Sequence, residues 1–237
     1  LAVQTIPRQV ILPPMSETFQ PSHADYLRDE SRRVGRADRI AFPRTEEDVL
    51  SVLSEARALQ MPITTQGART GVTGGAVPEG GIVLNLSHMN RILDPENNTL
   101  RVQPGATLSS IRAALPPELY FAPDPTEPSA SIGGMISCNS SGALSFLHGP
   151  TRNHVVGLRV ALINGEMVDL RRGRDTTHRH QFQLGSLSGT LPPIPRPAVK
   201  NAAGYFSDPN MDLVDLFIGA EGTLGVVVEA TLRLLPA

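Results

Sequence analysis

Between Pro62 and Ala76 the chain reads PITTQGARTGVTGGA, with four glycines (Gly67, Gly71, Gly74 and Gly75) inside nine residues. Glycine admits φ > 0 and lets a ligand come close to the backbone, and both are expected at Gly71. Successive N–H groups in such a turn form a concave nest for anions, phosphate above all. The apolar run Ile82-Val83-Leu84-Asn85-Leu86 follows, so the loop feeds a strand. The commoner phosphate loops do not fit. A G-x-x-x-x-G-K-[ST] loop needs a lysine, and Lys200, the only one in the chain, is far away. The dinucleotide fingerprint needs a G-x-G start and a following helix, and this loop has neither. A plain structural turn remains the competing reading of the loop alone.

A second segment, PDPTEPSASIGGMISCNSSGALSFLHGPTRNHVVG from Pro123 to Gly157, concentrates small residues around Gly133-Gly134. Ser137, Asn139, Ser140, Ser141 and Gly142 suit neither a helix face nor a regular strand. They suit a backbone wall against a flat ligand, with hydroxyl and amide groups for hydrogen bonds. The alternative is a flexible linker. Ile132, Met135, Ile136, Leu144, Phe146 and Leu147 are too many large apolar residues for that.

Three motifs in order carry a resemblance to a known family. They are QGARTGVTGGAVPEGGIVLNLSHMNRIL (66–93), SIGGMISCNSSGA with HGPTRNHVVGLRVALINGE (131–166), and FIGAEGTLGVVVEATLRLLP (217–236). Together they resemble the FAD-binding domain of FAD-linked oxidases and dehydrogenases of the p-cresol methylhydroxylase/vanillyl-alcohol oxidase (PCMH) type. Within that group the chain is most similar to the D-lactate, glycolate and D-2-hydroxyglutarate dehydrogenase branch, over about residues 40 to 236. The resemblance implies an α+β fold of two α/β subdomains, a small βαβ sheet and a larger, mainly antiparallel sheet, with FAD between them. It also implies a flavoprotein oxidoreductase that takes a hydride from a 2-hydroxy acid.

The resemblance assigns roles by position. Gln66, Gly67, Ala68, Arg69, Thr70 and Gly71 would cradle the FAD pyrophosphate through backbone N–H groups, with hydroxyls from Thr70 and Thr73. Pro125, Ser131, Gly133, Gly134, Ser137 and Asn139 would lie along the ribityl chain and flavin ring, with Ser141 and Gly142 close by. His148 and Gly149 would continue that wall, and Val156 would bond the adenine end. Glu221, Gly225 and Val227 would complete the site from the last strand. Many relatives have small residues at Ala68-Arg69, which leaves two readings for Arg69: pairing with phosphate or reaching solvent. Some relatives bond FAD to a histidine where this chain has Thr70, others to a cysteine near the position of Glu127. Neither nucleophile is present, so the FAD is expected to be non-covalent. Cys138, the single cysteine, is expected to be a small buried thiol.

Composition agrees without discriminating. A chain of 237 residues can bury roughly 70–75% of its unfolded surface. A net charge of −2 argues against nucleic-acid binding and supplies no basic membrane anchor. One cysteine excludes an internal disulfide and a cysteine-held cluster. No apolar run reaches the ~20 residues of a membrane span and no leader is evident at Leu1, so a cytoplasmic location is expected, with any membrane association through a partner.

The expected organisation is an N-terminal helical arm (1–38), a small FAD-binding subdomain (39–105) and a larger one (106–237). In the first, Thr45 would N-cap a helix to Gln60 whose Val49, Val52, Leu53 and Ala56 face a sheet. In the second, Asn164-Gly165 favours a tight hairpin. Residues 171–205 read as a loop insertion with no apolar period. His178 and His180 there carry a weak metal-site reading against a solvated loop, and no metal is expected. Lys200 and Tyr205 echo a family K-N-x-x-G-Y element as candidate cofactor- or substrate-side residues, against a plain surface pair. In the resembling family a C-terminal cap domain brings the substrate and its acid/base groups. This chain stops after the last FAD-domain strand, so no catalytic residue is assigned and the substrate site is expected on a missing cap. The alternative is a stand-alone flavin-binding or electron-transfer subunit whose partner chain supplies that site.

Overall fold

The structure, a computed structural model, describes residues 15–195, 199 and 204–237. Lys200 lies outside the described residues. The first sheet is built from β1 (Glu17–Thr18), β2 (Arg39–Ala41), β3 (Ile63–Gln66) and β4 (Ile82–Asn85) in the order β1-β2-β4-β3. β2 and β3 both run parallel to β4, and β1 closes the edge antiparallel to β2. Parallel neighbours need a crossover, and α1 (Glu46–Leu59) provides it between β2 and β3. Thr45 starts α1 as read from the sequence: its Oγ1 accepts from Asp48 N at 3.1 Å and the Asp48 carboxylate accepts from Thr45 N.

The second sheet takes β5 (Thr99–Val102), β7 (Val155–Ala161), β8 (Met167–Arg171) and β11 (Val226–Arg233) in the order β5-β11-β7-β8, antiparallel throughout. Between these strands run α2 (Leu108–Ala114), β6 (Leu119–Tyr120), α3 (Ile132–Ser137) and α4 (Ser145–His148). β9 (Gln181–Leu184), β10 (Leu187–Thr190) and α5 (Val214–Phe217) follow β8, and β12 (Leu235–Pro236) pairs with β6. Val49, Val52, Leu53 and Ala56 of α1 share one core with Ile82 and Leu84 of β4 and with Ala161, Val226 and Val228 of the second sheet. α1 is therefore packed between the two sheets. A larger core gathers Leu108 and Ile111 of α2, Ile132, Met135 and Ile136 of α3, and the inner face of β7 and β11.

Three sequence expectations change. The stretch Ser22–Arg39 is not a helical arm: only Pro21–Leu27 is helical, as a 3-10 helix. Beyond it the Asp29 carboxylate accepts from Ser31 N and the Ser31 hydroxyl from Arg33 N, local bonds that compete with helical ones. β5 belongs with β11, so the passage from one sheet to the other falls between β4 and β5, before residue 105. The segment 171–205 contains the β9–β10 hairpin, turned at Gly185 with φ 59°, where a structureless loop was expected.

Behind the site a buried ion-pair cluster fixes the second sheet. The Asp215 carboxylate, 6% exposed, receives Arg152 at 2.9 Å and Arg172 at 2.7 Å, and Arg172 also reaches Asp212 at 3.2 Å.

Candidate functional site

The two glycine-rich segments face each other across a cavity of about 450 Å³. One wall is the loop after β3, Gln66 to Ala76. The other is the start of α3 with Pro125–Glu127. Glu221, Gly222, Gly225 and Val227 close it at the entry to β11. One side chain joins the walls. Ser131 caps α3, its Oγ accepting from Gly134 N at 3.4 Å, and accepts from Ala68 N across the interface at 3.3 Å. Gly67 must be glycine for this contact, since a Cβ there would stand 2.0 Å from Ser131 Oγ.

Gln66, 1% exposed, holds the loop's ends together. Its Nε2 donates to the Ala76 and Tyr26 carbonyls, each at 2.7 Å, and its Oε1 accepts from Asn85 at 3.4 Å. The side-chain amide thus closes the loop and ties the N-terminal segment to it. Among the described residues, no backbone N–H from Arg69 to Ala76 donates to a protein acceptor. That row of free donors at a cavity wall is a ready cradle for an anion. The positive φ expected at Gly71 falls instead on Arg69 (60°) and Gly74 (84°). Gly71 contributes open space: a Cβ there would meet nothing within 4 Å. The Arg69 guanidinium stacks over the Tyr26 ring at 4.4 Å, which brings the 3-10 helix over the loop.

Gln66, Gly67, Ala68, Arg69, Thr70, Gly71, Thr73, Pro125, Ser131, Gly133, Gly134, Ser137, Glu221, Gly225 and Val227 all line the cavity. Asn139, Ser141, Gly142, His148, Gly149 and Val156 do not. Asn139 is buried and its Oδ1 accepts from Arg152 N at 3.0 Å. Gly142 packs so tightly that a Cβ would stand 1.6 Å from the Asp124 carbonyl. Gly149 is in the left-handed region (φ 83°), with the Asn153 side chain where a Cβ would sit. The Val156 carbonyl accepts from Arg172 N at 3.0 Å.

His148 lines a second, more open cleft of about 560 Å³, and its Nε2 lies 3.2 Å from Tyr120 Oη. His154 lies beside it. Its Nε2 donates to the His148 carbonyl at 3.0 Å, and burial pushes its pKa down. Ser140, read from the sequence as part of a small-residue wall, also lines the main cavity, and sequence reasoning missed Asp29, Pro104 and Cys138, which line it too. Cys138 is exposed rather than a buried core thiol. Partial desolvation, with the Glu221 carboxylate second, raises its pKa. Among the described residues no cluster of three potential metal ligands occurs, and His180 Nδ1 lies 3.3 Å from Ser207 Oγ. Tyr205 is exposed, its hydroxyl 2.7 Å from Thr223 Oγ1.

A family model described as an FAD binding domain matches residues 37–171, more than half of the chain. The chain belongs to that family. Its cofactor is FAD, and the cavity suits it: unpaired N–H groups for a pyrophosphate, open space at Gly71, and a largely apolar wall for a planar ring. Among curated proteins, the chain is 39% identical to glycolate oxidase subunit GlcD of Bacillus subtilis, over 84% of this chain and 37% of that one. It is 32% identical to D-lactate dehydrogenase of Anaerostipes hadrus, over 90% and 40%. It is 35% identical to D-2-hydroxyglutarate dehydrogenase of Xanthomonas citri pv. viticola, over 95% and 43%. The chain thus spans about two fifths of the length of these relatives. A solved alkyldihydroxyacetonephosphate synthase superposes with a TM-score of 0.71 at 18% identity, over 95% of this chain and 38% of that one, a likeness of fold. No helix among the described residues is long and apolar enough to cross a membrane.

Proposed function

We propose that this FAD-binding chain is the flavin-holding part of a cytoplasmic oxidoreductase acting on 2-hydroxy acids of the lactate or glycolate type. The observation that carries the reading is the cavity itself. Its two glycine-rich walls, locked by Ser131, offer one side with free N–H donors and another lined by small residues. The relatives named for glycolate, D-lactate and D-2-hydroxyglutarate supply the substrate class. FAD bound here supplies the hydride acceptor; the protein supplies orientation and electrostatics.

Arg69–Gly71 and Thr73 hold the pyrophosphate in this proposal. Ser131, Gly133, Gly134, Ser137 and Pro125 border the ribityl chain and ring, with Glu221, Gly225 and Val227 closing the other side. Thr70 and Glu127 stand at the positions of covalent attachment in other flavoproteins of the resembling type, so the FAD is held without a covalent bond. Substrate positioning belongs to a cap domain or partner subunit. The substrate carbon that gives up the hydride would have to be held about 3–3.5 Å from the reacting flavin atom, and no polar side chain beyond the wall lining is assigned to hold a substrate there.

An absorbance spectrum before and after acid precipitation tests the reading. The purified chain should show flavin bands and release the flavin into the supernatant. Protein that stays colourless after incubation with excess FAD sinks the assignment, and colour kept in the pellet sinks the non-covalent claim. With a dye acceptor the 237-residue chain alone should oxidise D-lactate very poorly, while dithionite reduces its flavin readily.

A further inference from the structure

One buried polar atom in the cavity wall has no role in the fold. Asp29 is 8% exposed and lines the cavity, and its Oδ2 has no hydrogen-bond partner. Its other oxygen is occupied, accepting from Ser31 N at 2.9 Å. A buried carboxylate oxygen left unpaired costs free energy that a fold does not ordinarily spend without return. The fold holds this group in place. Tyr26 is bound through its carbonyl to Gln66 and through its ring to Arg69, and Ser31 Oγ and Arg33 Cδ stand 3.7 and 3.3 Å from where a Cβ of Gly74 would be.

We infer that Asp29 Oδ2 is an acceptor for a sugar hydroxyl of the bound FAD, on the ribityl or ribose unit that adjoins the pyrophosphate. The inference rests on FAD occupying this cavity. A carboxylate needs a donor, which excludes the phosphates themselves. It lies beside the loop whose free N–H groups cradle those phosphates, and in a dinucleotide the hydroxyls next to the pyrophosphate are the nearest donors. Asp29 is then a positioning residue. It fixes how far the dinucleotide slides along the loop, and it discriminates against ligands that carry phosphate without the hydroxyl.

Asp29→Asn tests this because it changes only the orphan atom: Asn Oδ1 still accepts from Ser31 N, while Nδ2 replaces the acceptor Oδ2. Calorimetric titration of the FAD-free 237-residue chain should show FAD affinity lowered at least about tenfold. The melting temperature of the FAD-free variant should stay equal to the wild type or rise, since the unpaired charge is gone. Asp29→Ser serves if the Asn variant fails to fold, because its hydroxyl keeps a turn acceptor and removes Oδ2. Titration with ADP and with FMN locates the hydroxyl. Loss confined to ADP assigns the ribose, loss confined to FMN assigns the ribityl chain, and either supports the inference. Wild-type FAD affinity within twofold in a folded variant overturns it. A wild-type chain that binds no FAD instead overturns the cofactor assignment, so the two failures are distinct.

Discussion

The two glycine-rich walls use the same residue for opposite purposes. In the loop after β3, Gly71 has no atom within 4 Å of a would-be Cβ, so its missing side chain is room left for a ligand. In the second glycine-rich segment, at Gly133 in the wall and at Gly142 behind it, the space of the missing side chains is filled by the protein. A Cβ on Gly133 would stand 2.8 Å from the Pro104 Cβ, and one on Gly142 would stand 1.6 Å from the Asp124 carbonyl oxygen. At Gly71 the first segment is open to a partner, while at Gly133 and Gly142 the second is closed against its own chain. Glycine-rich sequence alone does not separate these cases; the neighbouring atoms do. The same substitution type should therefore damage binding in one wall and folding in the other.

Gly142→Ala should have the largest effect on the FAD-free protein. The new methyl meets backbone rather than a flexible side-chain tip, so Asp124 must shift. A loss of about 3 kcal/mol or outright failure to fold is expected in urea denaturation. A variant as stable as the parent would mean that this segment is loosely packed and that the contrast between the two segments is wrong.

Ser131→Ala attacks the joint between them. It removes the α3 cap and the bond from Ala68 N, for a loss of about 1–2 kcal/mol. FAD affinity should fall with it, because the loop loses its tie to the opposite wall. Unchanged FAD affinity in calorimetry would show that the walls position the cofactor independently.

Gly71→Val inverts the pattern. Stability should change by less than about 0.5 kcal/mol, since the side chain enters empty space at a backbone that does not need φ > 0. FAD affinity should drop about tenfold or more, because that space is the ligand's. Equal affinity in a folded variant would remove the pyrophosphate from this loop.

How much of this was legible in the sequence follows the same division. The loop Gln66–Thr73 and the Ser131–Ser137 stretch were readable because their composition is abnormal for packed elements and their order matches a family. α1 was readable because Thr45 caps an apolar period, and the structure caps the helix there. Asp29 was not readable: an aspartate in a charged run has no local sign of burial, and its orphan oxygen exists only once Tyr26 is pinned to Gln66 and Arg69. β5 was placed with the wrong sheet because its partner, β11, lies more than a hundred residues away. The β9–β10 hairpin escaped because its strands are only four residues each and mostly exposed, too short for an alternation to stand out. Gln66 was assigned to the cofactor as part of a motif, yet its side chain is spent on closing the loop, a distinction that rests on three tertiary hydrogen bonds.

The smallest expected effect concerns Cys138, which is exposed just beyond α3, on the wall whose glycines are packed. Partial desolvation raises its pKa, and the Glu221 carboxylate adds to the rise. The reactive species is the thiolate, so a raised pKa leaves less of it at pH 8 than in an unstructured cysteine with a pKa of about 8.5. Alkylation by iodoacetamide at pH 8 should accordingly be slower than that of a cysteine peptide and should accelerate only as pH climbs further. Glu221→Gln removes the smaller of the two causes, so the rate should rise modestly without reaching the peptide's. Bound FAD should slow it again in both proteins, because the thiol opens onto the cavity. Cys138 is the only thiol in the chain, so mass spectrometry reads each rate without ambiguity. An alkylation rate indifferent to FAD would place Cys138 outside the occupied part of the cavity and confine the ligand to the loop wall and the start of α3.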